Sequence, residues 1–121
     1  MNKQPMTATI TATSKTDIIK PPFKLERVLT YLVDHGSINR LEAEKAPVFD
    51  HALNSTMSNE IKLRLGLEFS SIPEKTTGYD GLGAIFNRYT FTLESNAKAK
   101  ELINGYRIKR GASPIPWEGA A

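Results

Sequence analysis

The sequence has no cysteine among its 121 residues. That absence excludes a disulfide scaffold, a cysteine-based zinc site and a thiol nucleophile. Histidine is nearly as scarce. His35 and His51 have no ligand-spaced partner, so neither a metal site nor a cofactor is expected. No apolar run approaches the length that spans a bilayer, and the opening MNKQPMTATITATSKTD lacks the apolar core of a secretory signal. A cytoplasmic protein with no membrane partner is the expectation. Excess charge is small as well: 16 Lys and Arg against 13 Asp and Glu give +3. The pI of about 9.2 is compatible with nucleic acid. The weight then falls on where the charges sit.

The length suits one compact domain. Residues 1–21 read as a flexible N-terminal tail, Thr/Ala-rich and closed by Pro21 and Pro22, because one Ile10 cannot offset the entropy of ordering ten residues. Residues 22–106 carry the periodic patterns of a domain. Residues 107–121, RIKRGASPIPWEGAA, read as a second flexible tail.

Within the domain, Leu25, Val28, Leu29, Leu32 and Val33 form one helical stripe, with Lys24, Glu26, Arg27 and Asp34 off it and Gly36 as the stop. Asn39 followed by Glu42 has capping-box spacing and predicts a short helix over 40–46, ended by Pro47, with Leu41, Ala43 and Ala46 as its inward candidates. Asp50 is the candidate N-cap of a third helix, with Phe49 packing back on its first turn and Gly66 closing it. LEFSSI and AIFNRYTFTL read as strands around a Gly-rich loop, PEKTTGYDGLG. Ser95 is the candidate cap of a fourth helix with Ala99, Leu102, Ile103 and Tyr106 on one face. Three helices, a hairpin and a further helix predict an α+β winged helix: a helix-turn-helix core, a two-stranded wing and an added C-terminal helix. A short strand near Ser37 and Ile38 would complete the sheet.

The third helix is rich in Asn54, Ser55, Thr56, Ser58 and Asn59, indifferent helix formers whose side chains compete for the backbone. At about 100° per residue, Leu53, Met57, Ile61 and Leu65 share one wall, while His51, Ser55, Ser58, Asn59 and Lys62 share the opposite one. No acid lies on that polar wall. Donors and acceptors of short reach suit a major groove, where Asn can pair with adenine and Lys with guanine or phosphate. The candidate DNA contacts are His51, Asn54, Ser55, Ser58, Asn59 and Lys62 on the helix. To these are added Arg40 and, on the wing, Lys75, Thr76, Thr77 and Arg88. Arg40 has a competing partner in Glu44, one turn on. Arg107, Lys109 and Arg110 are further cations suited to phosphate or to plain solvation.

Catalysis is not expected. Adjacent Asp50 and His51 on one helix cannot place a carboxylate behind the imidazole for a relay to Ser55. Gly78, Gly81 and Gly83 precede strand pattern, the wrong context for a phosphate-binding fingerprint.

SINRLEAE, then DHALNSTMS, then GYDGLG and NRYTFTL resemble small winged helix-turn-helix proteins of phages, prophages and mobile elements. Their pattern is similar to S-(L/I)-N-R-(F/L)-E-A-E followed by D-H-x-L-(N/H)-S-T-(I/V)-S, and the resemblance covers about residues 23–93. It implies duplex DNA binding by a regulator of transcription or an accessory factor. A homodimer and a host protein partner stay open. The alternative reading is a protein-interaction module, with Trp117 in SPIPWEG as a tail anchor. A third, single-stranded nucleic acid, lacks a stacking platform, since Tyr79, Phe86 and Tyr89 are scattered.

Overall fold

The computed structural model describes residues 18–76 and 83–117. It is a small α+β fold, and the chain divides into two compact units, 23–103 and a second made of 1–22 with 104–121. No described helix is long and apolar enough to cross a membrane.

In the larger unit, α1 spans Lys24–His35 and buries Leu25, Val28, Leu29 and Leu32 of the predicted stripe, with its fifth member, Val33, half-buried. Gly36 ends it at φ 87°, a left-handed position that suits glycine, and its N–H bonds back to the Leu32 carbonyl at 2.9 Å. Glu26, expected off the stripe, is buried too and is not without a partner there. Helix α2 is Arg40–Ala43, shorter than the predicted 40–46. Its capping box is complete, with Glu42 N–H on Asn39 Oδ1 at 2.9 Å and Asn39 N–H on Glu42 Oε1 at 3.0 Å. The chain then closes tight turns, Lys45 N–H on the Glu42 carbonyl and Val48 N–H on the Lys45 carbonyl, so Ala46 is exposed instead of inward.

Helix α3 begins as α-helix at Leu53–Ser55 and continues as π-helix over Thr56–Arg64. The predicted cap differs: Ala52 holds the N-cap position. Asp50 is 1% exposed and works from below. Its Oδ1 accepts from Ala52 N–H at 2.8 Å and its Oδ2 from the Thr56 hydroxyl at 2.6 Å. Lys24 Nζ lies 3.7 Å from Oδ1. Phe49 does not pack back on the helix. Val48 and Asp50 take the inward positions on either side of it, and its ring is 57% exposed on a backbone with φ 53°. Leu53, Met57 and Ile61 are buried as expected, and so is Thr56.

Strands β1 (Phe69–Thr76) and β2 (Ala84–Phe91) pair antiparallel from Phe69↔Phe91 to Thr76↔Ala84. β1 runs four residues past the predicted LEFSSI and takes in Pro73. An edge strand tolerates proline, which has no N–H to donate, and among the described residues β1 pairs with β2 alone. The expected third strand is a single bridge, Ile38↔Tyr89, with N–H···O bonds of 3.0 and 2.8 Å. Ile38 and Tyr89 face the core, where Phe69 meets Tyr89 edge-on at 5.5 Å.

Helix α4, Leu93–Lys109, starts before the predicted cap. The Thr92 hydroxyl accepts from Ser95 N–H at 3.1 Å and so caps the helix. Ser95 turns its own hydroxyl to Glu68 N–H at 2.6 Å. Ala99 and Ile103 are buried, Leu102 and Tyr106 half-buried.

Of the two predicted tails, residues 1–17 and 118–121 lie outside the described residues, and the described parts, 18–21 and 107–117, are held by hydrogen bonds. The Asn104 amide holds Ile115 from both ends, donating to its carbonyl at 3.0 Å and accepting from its N–H at 2.7 Å. Arg107 Nε donates to the Ser113 carbonyl at 2.7 Å. Lys20 N–H bonds to the Arg110 carbonyl, and Arg110 Nη1 to the Lys20 carbonyl, each at 3.0 Å. Gly111 has φ 91°, and a Cβ there would lie 3.0 Å from the Ile18 carbonyl oxygen, so glycine is required twice over. Hydrogen bonds thus hold residues 18–22 and 107–117, where composition alone predicts flexibility.

Candidate nucleic-acid interface

Helix α3 supplies the surface. Its buried side fixes it, and Ser55, Ser58, Asn59 and Lys62 of the predicted polar wall are exposed; His51, expected on the helix, is exposed in the turn that precedes it. Asn59 Nδ2 donates to Ser55 Oγ at 3.1 Å, so these two share one patch of the helix. Glu60 turns to Arg64, at 2.8 Å. Lys62 lines an open cleft of about 380 Å3 with Glu68, Phe69, Ser70 and Thr92, at the base of the hairpin.

The indifferent helix formers of α3 divide into two groups. Thr56 is part of the core, where its hydroxyl satisfies the buried Asp50 carboxylate. Asn54 is exposed as a residue, yet its Oδ1 accepts from the Tyr89 hydroxyl at 2.5 Å. It therefore positions the helix against β2, and only its amide N–H groups are left for a contact, a lesser role than the sequence suggests. Ser55, Ser58 and Asn59 stay at the surface.

Arg88 is not a free wing cation. Its Nε donates to Glu74 Oε1 at 2.9 Å and its Nη1 to Ser37 Oγ at 2.8 Å and Glu42 Oε1 at 3.1 Å. Nη2 reaches Glu42 Oε2 at 3.0 Å and Glu74 Oε2 at 2.8 Å. A guanidinium has five N–H donors; four donate in hydrogen bonds here, and Nη2 is also ion-paired with Glu74. The expected phosphate contact is therefore replaced by a tie between the hairpin and the start of α2. Asn39 Nδ2 completes the tie on Glu74 Oε2 at 2.6 Å. Hydrogen bonds from Arg88, and next from Asn39, hold the Glu74 carboxyl below its ordinary pKa. The carboxylates in turn raise the pKa of Arg88 further. The topology explains the meeting. Ile38 and Tyr89 pair and face the core, so their chain neighbours Ser37, Asn39 and Arg88 meet on the other face of the bridge, where Asn39 is itself buried.

The remaining predicted contacts are spread out. Arg40 is exposed and pairs with Glu44 at 3.3 Å, a surface contact of small energy. Lys75 is exposed on β1, Thr76 ends that strand, and Thr77 lies outside the described residues. Sequence reasoning missed the parts played by Ser37, Glu42, Glu74 and Tyr89. Only the Asn39–Glu42 spacing offered a signal. Nothing local connects Glu74 to Asn39, 35 residues away.

Comparison with protein-family models, with curated proteins and with solved structures gave no match to this chain.

Proposed function

We propose that the chain is a winged helix that binds duplex DNA through α3, as a regulator or accessory factor of a phage or mobile element, and that it is not an enzyme. The observation that carries the reading is the division of α3. Leu53, Met57 and Ile61 are buried, while Ser55, Ser58, Asn59 and Lys62 of the helix, and His51 in the turn before it, are exposed. A helix held from behind and covered in front by short hydrogen-bonding groups and one cation suits base edges and phosphates. Support for the winged form comes from the order of α1, α2, α3, β1, β2 and from the Ile38↔Tyr89 bridge, which stands where a third strand would. The phage or mobile-element assignment rests on the resemblance of SINRLEAE and DHALNSTMS.

Fluorescence anisotropy with a random-pool duplex at low and moderate salt tests the reading. Salt-sensitive binding is expected, and no binding at low salt would sink it. In a selection of bound duplexes from that pool, Asn59→Ala should relax preference at one position, and Lys62→Ala should weaken all sequences alike.

A second reading, a protein-interaction module, is favoured by one observation: Ile72 and Ile85 on the hairpin are 61% and 71% exposed. A stoichiometric protein partner that survives nuclease treatment of a host lysate, with no duplex binding by the purified chain, would favour it.

A further inference from the structure

The positive charge of the chain is unevenly divided. Residues 23–103 carry ten Lys and Arg against eleven Asp and Glu, a net −1. Residues 1–22 and 104–121 carry six against two, a net +4. The whole excess of the chain, +3, therefore comes from the smaller unit. Among its described residues, 18–22 and 104–117, there are four cations, Lys20, Arg107, Lys109 and Arg110, and no acid.

These cations sit on a fixed scaffold. Lys20 and Arg110 are joined by two bonds of 3.0 Å. Arg107 and Lys109 lie within a turn of Arg110 at the end of α4. The bond from Arg107 Nε to the Ser113 carbonyl fixes the direction of its guanidinium. Lys20 and Lys109 are exposed. Cations gathered on a folded surface raise the concentration of a polyanion near them.

We propose that the smaller unit is a second binding surface, one that takes the phosphate backbone of duplex DNA. This rests on the DNA reading of α3 and adds to it a division of labour. α3 supplies discrimination from a body that is slightly acidic, and the smaller unit supplies most of the salt-dependent attraction. An anionic membrane surface is the competing ligand, since Ile18, Ile19 and Ile108 of the same unit are exposed. A helix that lies in a membrane interface buries one continuous apolar face. Here two of the three isoleucines are on the N-terminal segment and one on α4, which favours DNA.

The test compares two double variants of the full chain that remove equal charge. Lys20→Gln with Lys109→Gln alters the smaller unit. Lys45→Gln with Lys98→Gln alters two exposed lysines of the larger one. Each is titrated by anisotropy against a random-sequence duplex across a salt series and, separately, against vesicles rich in anionic lipid. The first double should lower the slope of log K against log salt by about two, at about 0.9 for each phosphate no longer neutralised. The second should leave the slope near that of the unaltered chain. Equal slopes for the two doubles, while the unaltered chain binds duplex, overturn this proposal and leave the α3 reading standing. If the unaltered chain binds no duplex, both fall. Binding to vesicles but not duplex, abolished in the first double, assigns the surface to a membrane instead.

Discussion

Helices α1 and α3 each bury an apolar side, of four and three residues, and solve the problem differently. In α1 the buried residues recur at three and four, from Leu25 to Val28, Leu29 and Leu32, and the helix is regular α throughout. In α3 the apolar residues recur at four alone, Leu53, Met57 and Ile61, and the helix widens to π from Thr56. A strict four-residue repeat drifts by about 40° per step on an ideal α-helix. A wider turn reduces that drift and keeps all three side chains on the core at 1% exposure or less. π-helical turns are rare and gather at functional sites. The poor helix formers of α3 are thus tolerated because its anchoring comes from packing and from Asp50, whereas α1 rests on its own pattern.

That contrast can be broken most severely from the core side. Ile61→Ala should cost about 2–5 kcal/mol in denaturant unfolding, through reduced burial and the cavity left behind. Asp50→Ala comes next. It leaves Ala52 N–H and the buried Thr56 hydroxyl without their acceptor, and should cost about 1–3 kcal/mol. Asp50→Asn should cost less, because one amide oxygen can still accept. If Asp50→Ala proved neutral, α3 would be anchored by packing alone.

Arg88→Ala should have a smaller effect, about 1–2 kcal/mol, since the network is about a third exposed and screened. Lys at this position should not restore it, because an ammonium cannot match the fork. The same tie predicts a pH dependence. The pKa of Glu74 is lower in the folded chain than unfolded. Its contribution is therefore present above the ordinary carboxylate range, about pH 4.3, and is lost as pH falls through the lowered folded value. Stability of the Glu74→Gln variant, followed from neutral pH into acid, should fall less than that of the unaltered chain. Smallest of all, Ser58→Ala and Asn59→Ala should change stability by no more than about 0.5 kcal/mol while altering DNA binding. A large loss of stability at Asn59 would show that the polar wall is part of the fold.

Much of the larger unit is legible because its signals are local. The stripe of α1, the glycine at 36, the Asn39–Glu42 box and the two strands follow from spacing within a few residues. The misreadings are at positions decided by distant partners. Asp50 has the composition of a helix cap, but burial beside Lys24 and Thr56 sets its role. Ser95 suits a cap position that Thr92 fills, since Glu68 claims the Ser95 hydroxyl. Arg88 has the look of a wing cation because nothing nearby in the chain announces Ser37 and Glu42, brought to it across 51 and 46 residues. The described residues 18–22 and 107–117 read as tails because they are held by backbone groups and the side chains of Asn104, Arg107 and Arg110, features without a hydropathy pattern. Within α3, the exposed wall is legible, and the separation of Asn54 and Thr56 from it is not.

The choice of asparagine at position 39 limits how this region can change. Serine and threonine are the usual residues of a capping box, and aspartate caps a helix as well. Each could accept from Glu42 N–H. Asparagine alone among the four has an amide, with an acceptor at one end for the helix and a donor at the other for the Glu74 carboxylate. Serine would keep the helix start and leave the hairpin behind. Aspartate would keep the helix start and set a second carboxylate against Glu74. The two partners also dictate which end of the amide is which, since a flipped group would turn donor to donor and acceptor to acceptor. A single planar group of this kind acts as a joiner with polarity, and substitution at this one position would leave Arg88 to hold the hairpin to the helix that precedes it.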